Sequence, residues 1–180
     1  MSSLSTDLHA LITQPGPAAL GPESRSGTLS QADLNRTLEE LFRLHKRPKQ
    51  AELIRALLLL WHDHLDASHV ISQGIENPDG SLVHGIMHRR EPDYWNSQYW
   101  FRRVGHHPCF ADLARRVNEL PAVDAVLATQ LMPRDIWDPF AFVDAVAAVA
   151  DKPQSDGRHQ QLRAVQQAET EAALDYFLKL

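Results

Sequence analysis

Histidines and carboxylates, the side chains that bind metal ions and move protons, recur at helical spacing between Leu57 and Phe110. That stretch reads LLLLWHDHLDASHVISQGIENPDGSLVHGIMHRREPDYWNSQYWFRRVGHHPCF and holds seven of the ten histidines, so any histidine chemistry is concentrated there. On a helix turning about 100° per residue, His62, Asp66, His69 and Gln73 fall within about 60° of arc. Leu58 and Leu65 lie beside them on the same wheel, so the stripe faces inward. His64 falls on the other face. His84, His88 and Glu91 repeat the pattern one turn-rich connection later, flanked by Met87.

Two imidazoles four residues apart can reach one ion, and a neighbouring carboxylate adds an anionic oxygen. Facing stripes on antiparallel helices would bring His62, Asp66, His69, His84 and His88 to a single centre. With nitrogen and oxygen ligands and no thiolate, Zn, Fe, Mn and Ni are all admissible divalent ions. Glu91 or Asp63 would then act as general base. Arg90, Arg102 and Arg103, with their planar forks, would hold a small anionic molecule, and Tyr94 would add a flat polar face. The function expected is metal-dependent hydrolysis of that anion. Two other readings share the pattern: a metal-free His/Arg pocket that binds a small ligand or partner, and a polar layer satisfied within the core.

Composition narrows the classes. A net charge of -5 excludes the broadly basic surface that nucleic acid or an anionic membrane requires. Cys109 is the sole cysteine, so neither an intramolecular disulfide nor a cysteine-based zinc site can form, and a cytoplasmic protein is expected. The longest apolar run, Ala56–Trp61, is far too short to span a bilayer. Cys109 follows His106 and His107, but adjacency in sequence does not make a nucleophile.

The elements that must position these side chains read as helices. Gln14 to Thr28 is rich in proline, glycine and serine, so residues 1–29 are expected as a flexible arm that carries one short helix. Ser30 caps a helix through Leu44 with an apolar stripe at Leu34, Leu38, Leu41 and Phe42. A long central helix is expected near 49–73, closed by Gly74 and the Asn77-Pro78-Asp79-Gly80 turn. Helices at 82–91, 94–104, 110–120 and 140–150 follow, and the last runs from His159 to Leu178. No period-two run bounded by turns appears. The expected fold is all-α, a single-domain bundle of about six to eight helices over residues 30–180, with its functional segment at 57–110.

The block with WHDHLD, ENPDGS, HGIMHRREPDY and YWFRRVG followed by HP, over about residues 57–110, and more weakly the Trp137-Asp138-Pro139-Phe140 segment, resembles the central block of a family of uncharacterised small bacterial and fungal proteins. The resemblance implies that this segment is one unit and implies no activity. His62-Asp63 also matches the dipeptide of the HD-type phosphohydrolases. Those enzymes need a separate upstream histidine, and His45, across the break at Pro48, does not fit.

Overall fold

Helix α5 (Pro78–Arg90) is buried without interruption from Gly80 to Arg90. The computed structural model describes residues 3–180 and is all-helical, with ten α-helices and no strand among those residues. Around α5 lie α3 (Ala51–Trp61), α4 (Leu65–Ser72) and α6 (Tyr94–Val104). Helices α1 (Leu4–Thr13) and α2 (Gln31–His45) complete one hydrophobic core with α3. A second core joins α7 (Cys109–Glu119), α8 (Ala125–Leu131) and α9 (Pro139–Ala147). The long α10 (Gly157–Lys179) contributes to both.

Most boundaries follow local chemistry. Asn77 accepts a hydrogen bond from the Gly80 N–H at 2.8 Å and, with Pro78 at the first helical position, starts α5. Asp93 and Asp138 cap α6 and α9 in the same way, each accepting from a backbone N–H in the first turn. Gly85 has no side chain where α6 approaches most closely: a Cβ there would stand 3.2 Å from the Phe101 ring. Ser97 Oγ donates to the Gly85 carbonyl at 2.7 Å, so the two helices are bonded as well as packed.

The expected helix over 49–73 is two helices. α3 ends at Trp61, and α4 begins at Leu65 after a turn in which Asp63 takes a positive φ of 68°. Side-chain bonds stabilise that break. Asp63 accepts from the Arg25 backbone N–H at 2.9 Å, from Arg25 Nε at 3.0 Å and from Arg90 Nη2 at 2.8 Å. His64 Nε2 donates to the Leu29 carbonyl at 2.8 Å.

Residues 3–29 are not the loose arm that their composition implies. Leu8, Leu11 and Ile12 of α1 are buried, as are Ala18, Ala19 and Leu20 in the proline-rich strap that follows. A strap with this composition does not pair its backbone in a regular element, so side chains do so, one from the strap itself and the rest from the body. Arg25 donates to the Gly16 carbonyl, Arg163 to Pro17 and Ala18, Gln166 to Ala19 and Arg90 to Gly21.

Arg89 is fully buried and forms an ion pair with Glu169 of α10, with Gln166 at 3.4 Å and the Phe142 ring 4.1 Å from its guanidinium carbon. Removing one partner of such a pair leaves a desolvated charge, at a cost of about 3–5 kcal/mol. Glu169→Leu should therefore lose about that much in urea unfolding, and Arg89→Met/Glu169→Leu should recover most of it. A single variant within about 1 kcal/mol of the parent would refute the pair's structural role.

Candidate metal centre

Three of the five histidine and carboxylate residues expected as ligands come together. His69 on α4 and His84 and His88 on α5 each offer a ring nitrogen, and these atoms lie within 4.8 Å of one another. The ring centroids are 4.7 Å apart for His69–His84, 5.1 Å for His69–His88 and 4.8 Å for His84–His88. Ligand atoms on one tetrahedral ion with bonds near 2.1 Å stand about 3.4 Å apart. Capture of an ion would draw the rings inward by about an ångström, within the reach of side-chain rotation.

His84 is the least satisfied of the three. It is 3% exposed, and neither ring nitrogen has a hydrogen-bond partner among the described residues. Burial, then the neighbouring His88 and His69, push its pKa down to about 3, so the ring is neutral with a free lone pair at neutral pH. Trp100 of α6 stacks on it at 3.9 Å. His88 is also held below the ordinary imidazole value, by burial against the opposing pull of Glu91. Its Nδ1 lies 2.9 Å from Glu91 Oε2, and its Nε2 lies 3.1 Å from Asn96 Nδ2. Because a carboxylate only accepts, Nδ1 carries the proton and Nε2 the lone pair.

The remaining expected site residues are elsewhere. His62 loses its place because the turn at 62–64 breaks the helical phase that related it to His69. It is buried against the N-terminal segment instead: the Leu29 N–H donates to Nδ1 at 3.0 Å, and Nε2 donates to the Leu11 carbonyl at 2.9 Å. Asp66 is exposed on α4 and gives no atom to the histidine group. Asp63 cannot serve as a base. Burial alone would raise its pKa, but hydrogen bonds from Arg25 and Arg90 outweigh that and hold the carboxyl below its usual range. Arg90, 1% exposed and bonded to Asp63, Leu60 and Gly21, is not available to a substrate. Arg102 and Arg103 are exposed, and the Arg103 guanidinium lies over Trp100 at 5.3 Å. Tyr94 faces a small separate cavity that His159 also lines. Glu91 keeps a role as the carboxylate that orients His88.

Asn96 and Trp100 are the site residues that the sequence reading missed. They are four apart on α6, the same helical signal that marked His84 and His88. His107, near Cys109, belongs to a different assembly. The Cys109 thiol donates to His107 Nδ1 at 3.0 Å, and His107 Nε2 donates to Asp79 at 2.9 Å. Burial pushes the thiol pKa up, so this is a polar network of neutral cysteine and not an activated nucleophile.

A groove of about 380 Å³ is lined by Gln31, Asp63, His64, Asp66 and Glu91 among others, and Glu91 links it to His88. No family model, no curated protein and no solved structure matches the chain.

His62 supplies a test in solution. Burial lowers its pKa from the ordinary 6.5, against the opposing Leu11 hydrogen bond, and its bonding requires the neutral ring. Below 6.5 the unfolded chain takes up a proton that the folded chain refuses, so this stability is present above 6.5 and lost as pH falls toward the folded value. His62→Gln, whose amide can make both bonds without titrating, should flatten the loss between about pH 6.5 and 5 by up to about 1.4 kcal/mol per pH unit. Parallel pH profiles for parent and variant in urea unfolding would count against this role of His62.

Proposed function

We propose that the protein binds a divalent transition-metal ion through His69, His84 and His88 and uses it to hydrolyse a small anionic molecule. The observation that carries this reading is His84. A buried imidazole with no partner at either nitrogen costs about 1–3 kcal/mol, and two further imidazoles converge on it. An ion held by all three would recover that cost. Nitrogen donors without thiolate suit Zn, Fe, Mn or Ni.

Three neutral imidazoles leave the ion's charge uncancelled, which favours an anion at the remaining position. Arg103, exposed beside Trp100, adds positive charge on that side of α6. An ion with three histidine ligands and an open position supplies activated water at neutral pH. Glu91, bonded to His88 Nδ1, fixes the tautomer that presents Nε2 to an ion. Its carboxylate also lines the groove, where it can accept a proton.

The second reading, a metal-free pocket, draws on the amide of Asn96, which lies over the His88 ring, 3.1 Å from Nε2 and 3.5 Å from Nδ1. The two readings separate by measurement. Purified chain, stripped and then titrated with Zn²⁺, should bind one equivalent, and His84→Ala and His69→Ala should each weaken binding about 100-fold or more. His62→Gln, outside the group, should bind as the parent does. A parent chain with no stoichiometric site would sink the metal reading and leave the pocket reading.

A further inference from the structure

We propose that the small cavity beneath the N-terminal strap binds a primary alkylammonium ion, with Glu23 as its counter-charge and His159 and Tyr94 as its polar partners. The inference goes beyond the metal reading and does not rest on it.

The cavity holds about 60 Å³, room for a ligand of a few heavy atoms. The strap supplies one part of the lining, from Leu20 to Glu23, and helix ends supply the rest. Val146, Val149 and Ala150 lie at and just beyond the C-terminal end of α9, Tyr94 opens α6, and His159 is in the first turn of α10. Most of this lining is apolar, with Glu23, Tyr94 and His159 as its polar side chains. His159 is 6% exposed, and its Nδ1 is buried with no hydrogen-bond partner among the described residues. Burial, then Arg163, hold the ring below the ordinary imidazole value against Glu23 and Asp156, so it is neutral at neutral pH. With the proton on Nε2, Nδ1 accepts a hydrogen bond. Water would meet the polar side and leave the valines without contacts. An ammonium group on a short alkyl chain matches both.

The sign of the charge follows from the same lining. Glu23 is the one carboxylate in it, and its side chain folds back over the strap: a Cβ on Gly21 would stand 2.6 Å from Glu23 Oε2. Its charge opposes the effect of burial at His159 and adds to it at Tyr94, so it acts on both polar partners. The C-terminal end of α9 adds the negative pole of a helix. The N-termini of α6 and α10 would favour an anion, but the carboxylates of Asp93 and Asp156 already cap them. Arg163 is turned to the carbonyls of Pro17 and Ala18. Tyr94 offers a ring face that attracts a cation.

The test is a titration of the full chain, labelled with ¹⁵N-histidine, with methylammonium chloride, following the His159 ring nitrogens by NMR. Loss of the signal in His159→Gln assigns it. Sodium chloride at matched ionic strength and methanol, a neutral molecule of the same heavy-atom count, are the controls. Methylammonium should shift Nδ1 saturably with a Kd of about 1–10 mM, the range open to so small a ligand. Glu23→Gln, at an exposed position, should weaken binding about fivefold or more. Ala150→Leu, which fills the cavity from its exposed rim and touches no polar partner, should abolish it. No saturable shift up to about 100 mM would overturn the inference, since the site would then be at least tenfold weaker than expected. Methanol shifting Nδ1 as strongly, or a Kd unchanged by Glu23→Gln, would overturn it as well. Zn²⁺ binding should be the same in all three variants, so failure of the histidine centre and failure of this site are read separately.

Discussion

The carboxylate of Asp63, held between Arg25 and Arg90, is the interaction on which the arrangement of this protein depends. All three side chains are largely out of water, and such a cluster persists only where its hydrogen bonds are nearly complete. Completing them forces the chain out of helical geometry at Asp63, pulls the N-terminal strap onto the body and closes the C-terminal end of α5. The direction of α4, and so the direction from which His69 meets α5, follows from that break. A charge cluster that touches no histidine of the centre thus sets its geometry.

Helix α5 shows why the centre lies where it does. A helix buried on every side is normally apolar, yet this one carries His84, His88, Arg89 and Arg90 through the core. Each arginine has an acidic partner, Asp63 for Arg90 and Glu169 for Arg89. The histidines are treated differently. His88 has Glu91 and Asn96, whereas His84 has only ring faces around it. A polar group kept in the core without a partner is a cost that packing alone does not explain.

The sequence was most legible where the chemistry is local. His84 and His88 could be paired from their spacing, and the helix that carries them and the cap at Ser30 could be placed, because each depends on neighbours a few residues away. The all-α class followed from periodicity in the same way. His62 is misaligned because the wheel that pairs it with His69 assumes unbroken helical phase across Asp63, whereas Asp66 shares α4 with His69 and is exposed. Nothing near Asp63 marks a break, since its partners are 38 residues before it and 27 after it. The strap at 14–29 was misjudged because its composition describes what it cannot bond to itself, and most of its bonds come from distant side chains.

Those distant bonds have a topological meaning. Arg163 and Gln166 reach back 145 and 147 residues to the carbonyls of Ala18 and Ala19, among the longest sequence separations the chain can make. Closing such loops costs conformational entropy, so these bonds exist only while α10 is docked. The segment that looks least structured in the sequence therefore ties the two ends of the chain together.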